Sequence, residues 1–294
     1  MVEVVLADHV CMLGEGPVWD AERHAICWID ILKGEIHEFN VNNASLKTIS
    51  SNQLIGSIAI CEDGHFLAAL KNGLGTIKRD TGEINIFSSP EAHLTENRFN
   101  DGKCDPAGRF WVGTMSHLEK PDAGSVYVLD IDGSVDKKIT NTTISNGMAW
   151  SPDEQTFYFI DTPTSQVMAY QYDKESGEIN SPEPVITILQ EDGYPDGMTI
   201  DEDGMLWIAH WNGWQISRWN PKTGEKLLKL PLPVANVTSC TFGGDDLNDL
   251  YITTARKDIP EAELLNQPLA GALFVWKNCG YKGMPLVKFR TTLQ

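Results

Sequence analysis

EGPVWD at residues 15–20 is the first copy of a six-residue phrase that decides the fold. A turn-forming or polar residue comes first, a small or apolar residue follows, and strand-forming positions complete the phrase. The later copies are GSIAIC (56–61), NDGKCD (100–105), NGMAWS (146–151), DGMTID (196–201) and TSCTFG (238–243). Successive copies begin 41 to 50 residues apart, which is typical of the blades of a propeller. The sequence therefore predicts an all-β fold, a six-bladed β-propeller.

The residues between the copies supply the other strands of each blade. A polar turn follows each copy, and then come a second apolar run, such as HAICWIDI or RFWVGTMS, and a third strand. Six such units use nearly all of the 294 residues, so we expect one domain over residues 1–294. Residues 2–7 should add the outer strand of the last blade. Only a short helical turn is expected, at EAELLNQPLAG from Glu261, because Pro268 limits it.

Charge and composition exclude several kinds of partner. A formal net charge of −18 repels phosphate backbones and anionic lipids, so no nucleic-acid or membrane partner is expected. Neither an apolar span nor a secretory leader is indicated. The six cysteines form no C-x-x-C pair, and Cys27, Cys61 and Cys104 lie in apolar strand patterns as buried thiols. A reducing cytoplasm is the expected location.

The first residue of each copy should begin the innermost strand of a blade, so these residues form a ring around one mouth of the channel. The ring consists of Glu15, Gly56, Asn100, Asn146, Asp196 and Thr238. Glu15, Asn146 and Asp196 offer three oxygen donors with two negative charges, which suits calcium, magnesium or manganese. The competing interpretation is that Asx residues before Gly simply start turns. Glu15 is a poor turn former, so the combination favours a metal site.

Other polar residues are expected at the same mouth. Arg98 and Asn100 flank the ring position of the third blade, and Arg offers a fork of donors for a hydroxylated or anionic substrate. The second strand of each blade runs back to this face and should end there. These strand ends are Asp30, Thr114, Asp161, His210 and Thr254. His210 has an acid–base interpretation, but its Trp neighbours favour a wall residue.

The segments GEGPVWD, NRFNDGKCDPAGRFWVGTM, ISNGMAWSPD and YPDGMTIDEDGMLWIAHW resemble the gluconolactonase family, which includes regucalcin and sugar lactonases. The resemblance spans all six repeats. It implies one divalent metal held by Glu15, Asn146 and Asp196, with Asp196 also the acid/base, and substrate contacts from Arg98 and Asn100. Secondary candidates are Asp101, His117, Glu119 and His210.

One position departs from the family pattern. Ungapped alignment on GTM puts Leu118 where regucalcin-like members have a substrate-binding Glu, with Glu119 adjacent. Loss of that carboxylate predicts tolerance of both pentono- and hexonolactones, unless Glu119 or His117 takes the role.

The expected function is metal-dependent hydrolysis of an aldonolactone to the aldonic acid. Calcium is favoured as the ion, with zinc, manganese, magnesium and iron as alternatives. The competing functions are a phosphotriesterase or broad esterase on the same fold and a non-enzymatic calcium-binding regulator. The expected partner is a small sugar lactone, and the sequence identifies no protein partner.

Overall fold

The computed structural model describes residues 1–290, and almost all of its regular structure is β-strand. Over the first half of the chain the strands are β1 (Glu3–Val4), β2 (Gly14–Asp20), β3 (Ala25–Asp30), β4 (Glu35–Asn40), β5 (Ser45–Ser50), β6 (Ile55–Ile60), β7 (Phe66–Leu70), β8 (Gly73–Ile77), β9 (Ile84–Ser88), β10 (Asn97–Cys104), β11 (Phe110–Ser116), β12 (Gly124–Leu129) and β13 (Val135–Thr142). The second half contains β14 (Ser145–Trp150), β15 (Thr156–Asp161), β16 (Gln166–Tyr172), β17 (Ile179–Thr187), β18 (Tyr194–Ile200), β19 (Leu206–Trp211), β20 (Gln215–Asn220), β21 (Glu225–Pro231), β22 (Val237–Gly243), β23 (Asp249–Thr254) and β24 (Phe274–Trp276).

These strands form six antiparallel sheets of four strands each, which confirms the six-bladed propeller. Blades 1 to 5 consist of β2–β5, β6–β9, β10–β13, β14–β17 and β18–β21, in sequence order within each sheet. The innermost strands of consecutive blades contact one another around the axis, and β22 contacts β2. The only α-helix in residues 1–290 is one turn, α1 (Glu261–Leu264), as expected, and two 3₁₀ turns lie at Thr162–Thr164 and Gln190–Asp192.

Blade 6 is built from both ends of the described chain. Its strand order is β22, β23, β24 and β1, with Glu3 paired to Val275 and Val4 paired to Phe274. The backbone N–H of Val5 then donates to the carbonyl of Leu273 at 2.8 Å. The N-terminal strand is thus shorter than the expected residues 2–7. Because residues 291–294 lie outside the described residues, a single domain over 1–294 remains a proposal.

Burial falls from the axis to the rim of each blade. The first and second strands of blade 2, β6 and β7, are buried at every position, whereas the outer strand β9 is partly exposed or exposed throughout. The apolar runs of the repeated phrase and of the strand after it are therefore core, packed sheet against sheet. All six cysteines are free and buried, including Cys27, Cys61 and Cys104. Within residues 1–290 the structure has no helix of membrane-spanning length and apolar character.

A buried carboxylate lies at or directly after the end of the innermost strand in several blades and connects the following turn to its neighbours by hydrogen bonds. In blade 3, Asp105 accepts hydrogen bonds from Arg109 Nε at 2.7 Å and from Trp111 Nε1 at 2.9 Å. The hydroxyl of Tyr172, on blade 4, donates to the same carboxylate at 2.8 Å. Asp20 and Asp201 have related roles in blades 1 and 5. Each of these charges is compensated by an arginine, so its burial is tolerated.

Replacing Asp105 with Ala should lower the free energy of unfolding by about 3–5 kcal/mol, because Arg109 would remain buried without its counter-charge. Asp132→Ala is the matched control, because Asp132 lies in another turn of blade 3 but is exposed; its cost should stay below about 1 kcal/mol. Urea unfolding followed by tryptophan fluorescence measures both. Equal losses for the two variants would contradict this role of Asp105.

Candidate functional site

A cavity of about 400 Å³ opens at one mouth of the channel, and we call it the channel-mouth cavity. Its size is in the range of pockets for small organic molecules. Its polar and charged lining consists of Glu15, Arg98, Asn100, Glu119, Asn146, Thr162, Tyr194, Asp196, Lys257 and Asp258. The structure thus brings together the three predicted metal ligands and both predicted substrate contacts. Apolar walls come from Leu13, Ile31, Met115, Ile144, Pro163 and Trp211.

Backbone irregularities in the innermost strands direct these side chains towards the axis. In every blade the pairing of the first and second strands shifts register within the repeated phrase. Asn100, Asn146 and Asp196 lie inside these β-bulges, and Glu15 is the last paired residue before one. A bulge bends its strand and redirects a side chain, and bulges are frequent next to active sites. The repeated phrase therefore encodes both the strand and the direction of the site residue.

Two carboxylates are buried at the base of this cavity. Glu15 and Asp196 are each 6% exposed. Burial, and then repulsion from Asp196 and Asp101, raises the pKa of Glu15 well above its usual range. Burial, and then repulsion from Asp101, raises the pKa of Asp196 in the same way. Each accepts a hydrogen bond from the N–H of the following glycine. The positive charge of Arg98 lowers both pKa values, and Lys257 adds to this at Asp196, but neither offsets the effect of burial.

A chain of hydrogen bonds sets the orientation of the asparagine amides. Arg98 Nη1 donates to Asn100 Oδ1 at 2.7 Å, and Asn100 Nδ2 donates to Asn146 Oδ1 at 3.1 Å. Asn146 Nδ2 donates to Thr162 Oγ1 at 2.8 Å. The Thr162 hydroxyl donates onward to the carbonyl of Pro195, directly before Asp196, at 2.8 Å. Asn146 therefore directs its amide nitrogen to Thr162, which leaves its oxygen as the group for a cation.

The residues predicted as second-strand ends do not line the cavity, and two of them, Asp30 and Asp161, instead support the loops of the site. Asp30 accepts from the backbone N–H of Met12 at 2.7 Å and of Leu13 at 3.2 Å, just before Glu15. Asp161 likewise accepts from the N–H groups of residues 143 and 144, just before Asn146. Both carboxylates are satisfied by backbone donors. They fix the start of the strands that carry two of the predicted ligands.

The secondary candidates occupy different places. Glu119 lines the channel-mouth cavity, whereas Leu118 is 55% exposed and His117 is exposed with Nδ1 2.6 Å from the carbonyl of Glu96. Asp101 is buried within the bulge of blade 3, and its carboxylate accepts from Gly102 N at 2.8 Å. Its influence on the site is electrostatic.

His210 is a fully buried wall residue outside the cavity lining. Its Nε2 lies 2.5 Å from Ser217 Oγ. Burial lowers the pKa of His210 to about 4, so the ring is neutral near pH 7.

Sequence reasoning missed several polar residues of the cavity lining, among them Lys257 and Thr162. Lys257 Nζ lies 3.8 Å from Glu119 Oε1 and 5.5 Å from the centre of the Trp211 ring. Lys257 follows the end of β23 by three residues, so the rule that second strands end at this face could have found it. Thr162 follows β15 directly and was accessible to the same rule.

The donor set of the cavity fits a hard divalent cation. Two carboxylates and an amide oxygen are ligands that calcium, magnesium and manganese prefer. The two carboxylates repel each other in a buried place, and a cation between them would remove that cost. No thiol or imidazole belongs to the cavity lining within residues 1–290.

Comparison with known proteins gives consistent similarities over nearly the whole chain. Residues 13–256 match the family model described as the SMP-30/gluconolactonase/LRE-like region. The chain is 37% identical to a putative sugar lactone lactonase, YvrE, of Bacillus subtilis (strain 168), with 97% of this chain and 98% of that protein covered. It is 34% identical to regucalcin of Sus scrofa, with 97% and 96% covered.

A solved structure agrees with this similarity. The crystal structure of a calcium-binding protein, regucalcin, from Agrobacterium tumefaciens superposes with a TM-score of 0.92 at 28% identity, covering 98% of this chain and 96% of that one. The chain is therefore a member of the SMP-30/gluconolactonase/LRE-like family.

Proposed function

We propose that this protein is a metal-dependent sugar lactonase that hydrolyses an aldonolactone to its aldonic acid. The observation that carries the proposal is the pair of buried carboxylates, Glu15 and Asp196, beside the oriented oxygen of Asn146 at the base of a cavity of about 400 Å³. The lactonase name of a relative that matches over nearly its full length supports the same reaction class. A cytoplasmic location is proposed with it, because all six thiols are free.

The proposed chemistry assigns a separate task to each group. Glu15, Asn146 and Asp196 would hold the divalent ion, and as a Lewis acid it supplies polarisation of the lactone carbonyl. Asp196 takes a proton from the attacking water and returns one to the ring oxygen as it leaves. This role requires one oxygen of Asp196 to face water.

Arg98 and Asn100 are suited to different substrate contacts. Arg98 lines the cavity and donates through Nη1 to Phe99 O and Asn100 Oδ1, and we assign its Nε and Nη2 groups to a substrate contact. Burial lowers the pKa of Arg98 to about 10, and the group stays charged near pH 7. The amide nitrogen of Asn100 donates its hydrogens to Ser145 O and Asn146 Oδ1. Its proposed role is to orient the ligand set and to accept from one substrate hydroxyl.

Replacing Asp196 with Asn should reduce kcat/KM for an aldonolactone about a thousandfold or more, because the proton acceptor and one negative charge of the ligand set are lost while an amide oxygen remains. Asp63→Asn, in an exposed turn of blade 2, is the matched control and should keep full activity. The metal-free Asp196 variant should unfold at the same temperature as the parent or higher, because one of two repelling buried charges is gone. Retained turnover would refute the catalytic assignment.

Removing bound metal with a chelator should abolish lactone hydrolysis, because the proposed mechanism relies on the ion to polarise the carbonyl. We propose calcium as the resident ion, and a related structure is described as a calcium-binding protein. Reconstitution with calcium, manganese, magnesium, zinc and iron separately, followed by acid-release assays, would rank them. Unchanged turnover after complete metal removal would overturn the mechanism.

Glu119 at the cavity rim is proposed to bind the distal hydroxyl of a longer sugar lactone. Glu119→Ala should lower kcat/KM for hexonolactones about tenfold, the cost of one hydrogen bond to a charged group, and change pentonolactone kinetics much less. Leu118→Ala, the exposed neighbour, is the control. Equal effects on both substrates, or the same effect in the control, would exclude Glu119 as the group that binds the distal hydroxyl. The expectation would then again be that the enzyme accepts both pentono- and hexonolactones.

A further inference from the structure

Two histidines and a cysteine meet at the seam between blades 1 and 6, and we call them the seam cluster: His9, Cys11 and His37. His37 lies on β4, and the other two lie on the connection from β1 to β2. One potential ligand atom from each lies within 4.8 Å of the other two. Nothing in this cluster lines the channel-mouth cavity. It is therefore separate from the proposed lactonase site.

Each imidazole of the seam cluster keeps one nitrogen without a hydrogen bond. His37 is 1% exposed; its Nδ1 lies 3.1 Å from the hydroxyl of Thr48, its partner on β5, and its Nε2 has no hydrogen-bond partner. Nε2 of His9 is buried and without a hydrogen-bond partner in the same way. Buried polar atoms are normally paired, so two such nitrogens in one place call for a ligand. The contact of Nδ1 with Thr48 also fixes the His37 ring as a metal ligand requires.

The rings of the cluster are held by aromatic packing. His9 and His37 meet edge to face with centroids 4.4 Å apart, and Trp28 packs against both at 5.6 and 5.1 Å. Trp28 Nε1 donates to the sulfur of Cys11 at 3.4 Å. This hydrogen bond stabilises negative charge on sulfur. The arrangement is therefore largely preorganised.

Charges of both signs surround the seam cluster, with Lys33 opposing a cation and Glu35 and Asp30 favouring one. Glu35 Oε2 lies 3.8 Å from His37 Nε2, and Asp30 is buried nearby with Lys33 Nζ 3.7 Å from its carboxylate. Lys33 is thus engaged by Asp30, which leaves the Glu35 carboxylate beside the cluster. Burial raises the pKa of Cys11 to about 12, so without an ion the sulfur carries a proton. Binding a cation would release that proton to solvent.

We propose that His9, Cys11 and His37 form a zinc-binding site, with Glu35 or water as the fourth ligand. Two imidazoles and a thiolate match the preferences of Zn²⁺, in contrast to the all-oxygen set of the channel mouth. Tetrahedral zinc ligands lie about 3.5 Å apart, so the three ligand atoms must close by about 1 Å. His9 can supply that movement, because it is partly exposed and lies outside the regular strands.

An ion bound at the seam cluster would stabilise the closed ring of blades. The segment that carries His9 and Cys11 runs from β1 of blade 6 to β2 of blade 1, and Cys11 N donates to the carbonyl of Gly271 in blade 6. Coordination by His37 would fasten this segment to the third strand of blade 1. The ion should therefore stabilise the closed propeller without changing lactone hydrolysis.

The test uses Co²⁺ as a spectroscopic substitute for zinc in the full-length, metal-stripped protein. The parent should bind Co²⁺ with a thiolate-to-cobalt charge-transfer band in the near ultraviolet, which an all-oxygen site cannot produce. Cys11→Ser should remove this band. Cys61→Ser is the matched control, because Cys61 is also 1% exposed but has no place in the seam cluster, and it should keep the band.

Stability supplies a second measurement. Zinc at a hundred times its Kd should raise the Tm of the parent about 5 °C more than that of Cys11→Ser. His9→Ala, at a partly exposed position, should weaken Co²⁺ binding at least about tenfold, the cost of one lost ligand. This variant tests the site if Cys11→Ser does not fold. All these variants should retain calcium-supported lactonase activity within about twofold.

The outcomes separate this site from the lactonase centre. A charge-transfer band that depends on Cys11 and His9 supports the proposal even if no lactone is hydrolysed. Absence of the band in the parent, or its persistence in Cys11→Ser, overturns the proposal and leaves the channel-mouth assignment unaffected.

Discussion

Adjacent blades approach so closely at the axis that side chains are excluded from particular positions. A Cβ atom added to Gly147 of blade 4 would lie 2.8 Å from the carbonyl oxygen of Asp196 in blade 5. One added to Gly197 would lie 2.8 Å from the carbonyl oxygen of Thr238 and 2.2 Å from Ser239 Oγ in blade 6. These contacts are too short for any side chain, so the glycines after Asn146 and Asp196 permit blades 4, 5 and 6 to approach one another at the axis. The residues before these glycines then point into the channel mouth, and the site is a consequence of this packing.

The same packing imposes an electrostatic cost. Glu15 and Asp196 have raised pKa values in the folded protein, so the metal-free fold is stabilised when they are protonated. That stability is lost as the pH rises above the usual carboxyl range, because ionisation then occurs more readily in the unfolded chain. Carboxylates that merely cap turns are exposed to solvent, as Asp63 and Asp132 are in the hairpins. A buried, mutually repelling pair is more easily understood as a cation site.

The sequence predicted the fold and the ring positions because both depend on a repeat whose period and strand pattern are local properties. It predicted that Asp30 and Asp161 would reach the site face, but not that loop N–H groups before Glu15 and Asn146 would occupy their carboxylates. Lys257, His9 and Cys11 lie on connections between strands, where side-chain direction is set by packing between blades and not by the repeat. Leu118 shows why the alignment alone was not sufficient. An ungapped alignment only counts residues, whereas the turn at Glu119, with φ of 52°, decides whether Leu118 or Glu119 faces the cavity.

The short strand β1 also has a consequence for the order in which the molecule assembles. Its hydrogen-bond partner β24 lies near the other end of the described chain, so a ribosome delivers β1 long before the strand it needs. Blades 1 to 5 consist of neighbouring hairpins and can form as each is synthesised, whereas blade 6 must await an encounter between distant segments. Until then, the unpaired edge of β24 could recruit a strand from another molecule. During biogenesis, the lifetime of that open ring is the period when aggregation competes with folding.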